Sequence, residues 1–176
     1  LLSSPFSENL LGSRFSLMGN AFFPGFFKNH GIKLTGGYQK QETDMYFFSD
    51  YLQLPRGYET VYSEKLMNFK ADYTFPLFYP DWSVSSLLYF KRFKANLFFD
   101  YARNKYRAYD DNNQIKWYGE NLYSYGTEIT TDFHIARIMF PFTAGVRYAY
   151  QPLSSQHNFE FVFNIDFYSL YNKFRK

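Results

Sequence analysis

Close to the end of the chain, residues 158–167 read NFEFVFNIDF, with Phe159, Phe161, Phe163, Ile165 and Phe167 on one parity. Glu160, Asn164 and Asp166 take the other parity, joined only by Val162. Successive side chains of a β-strand point to opposite faces, so this stretch is a ribbon with one apolar face and one polar face. A helix would scatter the same rings around its circumference. A water-soluble sheet hides such an apolar face, whereas a membrane barrel turns it to lipid and keeps the polar face for its lumen.

Aromatic content bears on that choice. The chain carries 23 Phe, 18 Tyr and 2 Trp, 24% of its residues, far more rings than a soluble core of this size needs. Aromatic girdles at the two membrane interfaces do need them. No apolar run approaches the roughly 18 residues of a spanning helix, which excludes a helical membrane protein. With no Cys there is no disulfide, no thiolate nucleophile and no cysteine metal site. A formal charge of +3, with acids and bases intermixed, is far from the footprint of a nucleic-acid binder. The 176 residues fit a single domain. No charged-then-apolar signal peptide opens the sequence and Leu1 is not an initiator Met, so the chain reads as a mature product or a fragment.

Alternation recurs upstream. The predicted strands are Arg14–Phe23, Gly31–Glu42, Asn68–Leu77, Ser85–Arg103, Tyr123–Ile135, Phe142–Tyr150 and the closing stretch. The long Ser85–Arg103 segment reads as one strand or as two broken near Lys94. Short turns are expected at PGFFKN, YPDW and MFP, and longer polar loops at 43–66, 104–121 and 151–157. Tight turns at one end and long loops at the other are the pattern of an outer-membrane barrel. About seven strands, with the N-terminus on the loop side, do not close a barrel, and open edges in lipid cost several kcal/mol per unsatisfied backbone group. The expected fold is therefore an all-β, antiparallel transmembrane β-barrel, of which residues 1–176 form one C-terminal portion. Missing strands come from another segment or a partner chain.

Several ordered motifs carry a resemblance. They are LPRGY (54–58) on a long loop, ADYTFPL (71–77), ANLFFDYARN (95–104), YSYGTEITTDF, FPFTAGVRYAY and the last aromatic strand. In order and spacing, over about residues 13–167, this set resembles the C-terminal barrel of the Omp-eighty-five superfamily, the bacterial surface antigen family. Departures are Pro55 in place of an aliphatic residue, Ala102 in place of a Gly, and an extension, 168–176. The resemblance implies a barrel of roughly sixteen strands in the outer membrane of a Gram-negative bacterium, similar in style to Bacteroidota members. It implies that the 43–66 loop folds back into the lumen, where Arg56, at the tip with Gly57 and Tyr58, meets Asp72 and Asp100. Both carboxylates do lie on the polar parity, and a guanidinium between them gains charge-assisted hydrogen bonds of about 1.5–3 kcal/mol each. The competing reading is a solvated loop arginine and two ordinary lumen carboxylates.

Little in the chain suggests bond chemistry. His134, Asp132 and Glu128 alternate on one strand and have the residue types of a metal or proton-relay site, but such a row more often lines a wet wall. Ser124 and His134 share a parity but sit ten residues apart, beyond mutual hydrogen-bond reach. No phosphate loop or nucleophile elbow appears. The expectation is no catalytic residue, no metal and no cofactor. What the resemblance implies instead is polypeptide insertion or translocation, with the partners being outer-membrane lipid, the remaining strands and client polypeptides. The last strand, through Phe159, Phe161, Phe163, Ile165 and Phe167, would form one lip of a seam that templates an incoming strand. Two other classes stay open: a passive anchor for an N-terminal soluble domain, and a soluble β-barrel that binds an apolar ligand.

Overall fold

The computed structural model describes residues 2–3, 13–42, 51–59, 63–85, 87–110, 113–135 and 141–165. All regular structure among them is antiparallel β. The strands are β1 (Leu2–Ser3), β2 (Ser13–Pro24), β3 (Gly31–Glu42), β4 (Lys65–Phe78), β5 (Trp82–Val84), β6 (Leu88–Tyr109), β7 (Ile115–Ile135), β8 (Phe142–Gln151) and β9 (Gln156–Ile165). They form one sheet in the order β1-β2-β3-β4-β6-β7-β8-β9, with β5 folded back on β6. Every long strand pairs with its sequence neighbours, as short connections favour. The sheet is open: among the described residues β9 pairs only with β8, and β1 only with β2.

The long strands fall where alternation places them, but several boundaries differ. The polar segment 104–121 is not a loop. β6 continues to Tyr109 and β7 starts at Ile115, closed by Asp110 N–H to the Gln114 carbonyl at 2.9 Å and Asn113 N–H to the Asp110 carbonyl at 2.7 Å. This hairpin outruns its neighbours, since β4 stops at Lys65 opposite Lys105 and β8 pairs no further than Tyr150 opposite Tyr125. Residues 115–121 are exposed on both faces, so no alternation marks them. The 43–66 loop ends earlier, because Lys65 and Leu66 open β4, and 151–157 shrinks to a turn between paired Gln151 and Gln156. YPDW is likewise more than a turn: Trp82–Val84 pairs with Leu88–Phe90. Phe167, the extension 168–176 and Met139–Phe140 of the MFP turn lie outside the described residues.

β6 has no break near Lys94; its register against β7 shifts between Phe90 and Arg92 instead. A bulge there moves one residue out of the ladder and exchanges the faces on either side of it. Phe90 consequently joins Phe133 on the apolar face, although sequence parity alone puts it with the charged residues. Pro76 produces the same effect in β4, where the register shifts between Pro76 and Phe78. Proline has no N–H to give the ladder, and beyond it Phe78 stacks on Phe93 with ring centroids 4.7 Å apart.

The sheet has two chemically distinct faces. Leu17, Phe69, Leu97, Phe99, Ile129, Val146, Phe159, Phe161 and Phe163 share one of them, and all are exposed. Phe159 and Phe161 keep 79% and 74% of their area open, so no second layer of described residues covers this face. The other face carries Gln39, Asn68, Lys70, Asp100, Ser124 and Thr130, all buried. The usual soluble arrangement is thus inverted: polar side chains are covered and large rings are not. The small buried apolar cluster of Leu52, Leu66 and Ala102, flanked by Leu54, lies between residues 51–58 and the polar face.

Candidate functional site

Residues 51–58 lie as a strap across the polar face. The Gln39 side-chain carbonyl on β3 accepts from Tyr51 N–H at 2.8 Å and Leu52 N–H at 3.3 Å. On β4, Asn68 Nδ2 donates to the Gln53 carbonyl at 3.0 Å and Lys70 Nζ to the Leu54 carbonyl at 3.1 Å. Tyr58 Oη donates to the Tyr123 carbonyl on β7 at 3.3 Å, and Asn158 Nδ2 on β9 donates to the Gly57 carbonyl at 3.4 Å. Each exchange of water for protein contributes about 0.5–1.5 kcal/mol net. The strap therefore ties β3 to β9 across the intervening strands.

At its tip the backbone reverses. Tyr58 N–H donates to the Pro55 carbonyl at 3.2 Å, and Gly57 has φ +86°. That is the pattern of a type II turn, whose third residue needs positive φ. Glycine suits this positive φ, and a Cβ here would stand 2.8 Å from Asn158 Nδ2 and 2.9 Å from Gln151 Nε2, side-chain ends that would have to shift. Burial pushes the pKa of the Tyr58 phenol up.

The turn presents Arg56 to both carboxylates. Arg56 Nη2 lies 2.6 Å from Asp72 Oδ1, and Arg56 Nε lies 3.5 Å from Asp100 Oδ2. The Arg56 backbone N–H also donates to Asp100 Oδ2 at 3.0 Å, and Asn96 Nδ2 donates to Asp72 Oδ1 at 2.8 Å. Asp100 is fully buried. The guanidinium lies 4.2 Å from the centroid of the Phe98 ring, a cation–π contact. Gly126, beneath Phe98, has no room for a Cβ, which would stand 1.9 Å from the Tyr148 carbonyl oxygen and 2.9 Å from Phe98 Cζ. Gly126, Phe98 and Arg56 are thus stacked, with Asp72 and Asp100 beside the charge.

Arg56, Gly57, Tyr58, Asp72 and Asp100 are all in this assembly. Reading the sequence missed Phe98, Asn96, Gln39, Lys70 and Asn158. Phe98 was legible as an apolar exception on a polar parity; the others needed the register. A second set of polar-face contacts was also missed. Register sets Glu128, Arg147 and Glu160 side by side on β7, β8 and β9, with Arg147 Nε 2.9 Å from Glu128 and Nη1 2.8 Å from Glu160. Asp132 meets Arg92 and, at 2.9 Å, Lys94 Nζ. These cations occupy two of the three residues in the Glu128–Asp132–His134 row. No group of metal-ligating residues occurs among the described residues. Ser124 is buried opposite Asp100.

Phe159, Phe161 and Phe163, expected to line a seam, extend from the apolar face of β9, with Ile165 at its end, and β9 has no partner on its outer edge among the described residues. No protein-family model, curated protein or solved structure matches the chain.

Proposed function

We propose that this sheet is part of a transmembrane β-barrel of the Omp-eighty-five type, working in the outer membrane of a Gram-negative bacterium to insert or translocate polypeptides without bond chemistry. The observation that carries the reading is the Arg56 tip held between Asp72 and Asp100 on the polar face of a sheet whose other face is a continuous field of exposed rings. Lipid is the solvent that suits that field. From Phe93 to Tyr101 the apolar face of β6 runs about 27 Å at ~3.4 Å per residue, or roughly 21 Å across the membrane at a tilt of about 40°, close to the ~25 Å apolar band of such barrels.

On this reading the strap is a lumen brace. The outer edge of β9, unpaired among the described residues, is one lip of a seam, and an incoming strand adds to it through main-chain hydrogen bonds. The test uses liposomes containing the whole protein and a urea-denatured eight-stranded client barrel. Insertion several-fold faster than in empty liposomes is expected; equal rates would remove the insertase reading. A passive anchor is the second reading, favoured by the Arg147–Glu160 pair and the Asn158–Gly57 bond, which tie β9 into the sheet. It predicts the equal rates.

A further inference from the structure

At the strap end of the sheet the apolar face stops abruptly. Register aligns Lys40, Lys65 and Lys105 in one cross-strand row on β3, β4 and β6, and the next row holds Tyr38, Met67 and Arg103. Like charges directly opposite one another repel. Glu42 is bonded to Lys40, and Glu64 to Arg107. Lys65, Arg103 and Lys105 have no carboxylate within 4.0 Å among the described residues. These three cations surround a cleft of about 240 Å³, completed by Tyr38, Leu66 and Met67. Lys65 Nζ lies 4.5 Å from the centroid of the Trp117 ring, which places an indole beside one of the cleft's cations. Below the cleft come Phe69 and Tyr101, then Phe99. The surface thus passes from clustered positive charge to bare hydrocarbon within two cross-strand rows, which matches a lipid with an anionic head and apolar tails.

We propose that Lys65, Arg103 and Lys105, with Tyr38 and Met67, bind the phosphate-bearing headgroup of a membrane lipid whose acyl chains lie along Phe69 and Phe99. The proposal rests on the barrel reading. A phosphate seated among the three cations offsets their repulsion and gains charge-assisted hydrogen bonds, while the tails cover rings that no part of the described sheet covers.

Trp117 supplies the reporter. With Trp82→Phe removing the other indole, the whole protein in neutral detergent is titrated with diphosphoryl lipid A, its dephosphorylated counterpart and inorganic phosphate, following Trp117 emission. The diphosphoryl lipid is expected to act at concentrations about tenfold or more below its counterpart, inorganic phosphate to have no effect over the same range, and Arg103→Gln/Lys105→Gln to weaken the lipid by about tenfold or more. Equal affinity for the two lipids, or an unchanged double variant, would overturn the proposal, and a response to inorganic phosphate alone would overturn the lipid source. Should the double variant misfold, the comparison of the two lipids on the parent protein still decides. A protein that stays in solution without detergent overturns the barrel reading and this site together; one that requires detergent but ignores the phosphate overturns only the site.

Discussion

At the scale of single residues, Arg56 matters because of what surrounds it. Removing one partner of a buried charge pair typically costs about 3–5 kcal/mol, since the remaining charge is left uncompensated. Arg56→Ala should therefore free the 51–58 strap, and limited proteolysis should cut between residues 43 and 66 faster than in the parent; unchanged protection would mean that the neutral contacts suffice. Arg56→Lys should recover only part of the protection, because an ammonium loses the planar fork and the stacking on Phe98. Gly57→Ala meets both positive φ and the Asn158 and Gln151 side chains. It should destabilise the docked strap by about 1–2 kcal/mol, measured as a lower urea midpoint for protease protection. Arg56, Asp72 and Asp100 were legible in the sequence through motif order and polar parity. Asn158 was not, because nothing local places a β9 side chain against a loop a hundred residues earlier.

At the scale of elements, alternation located the long strands and failed in two physically distinct ways. Where a strand runs past its neighbour, as β7 does from 115 to 121, both faces are exposed and the period carries no signal. Where a bulge exchanges faces, as at Lys91, parity misassigns every residue beyond it. Phe90 looked like a ring on the polar face and is not. The expected contrast between tight turns and long loops is also reduced, because two of the three loops are turns. A substitution on β9 tests the face assignment directly: Phe161→Arg should cost about 2–4 kcal/mol near the membrane midplane, read as a lower denaturant midpoint in micelles. A neutral outcome would argue that this face meets water.

At the scale of the whole molecule, the sheet is all-β, antiparallel and open, with β2 and β9 lying far apart in the pairing order. Its polar face is braced by the strap and by rows of ion pairs, while its apolar face has no protein cover among the described residues. Isolated residues 1–176 should for that reason give no closed, heat-modifiable monomer on a gel; such a band would show that the two edges do meet. Which lipid, client or additional strand completes the sheet was not legible, because completion depends on groups beyond the chain's own register. The central claim is that the rings face hydrocarbon and the carboxylates face the inside. The chain has no Cys, so single cysteines at 158 to 164 can each carry a spin label in the reconstituted protein. The account predicts that oxygen collision peaks at 159, 161 and 163 and that a water-soluble nickel chelate peaks at 158, 160 and 164. Chelate access at both parities, or a protein that never enters the bilayer, would contradict it.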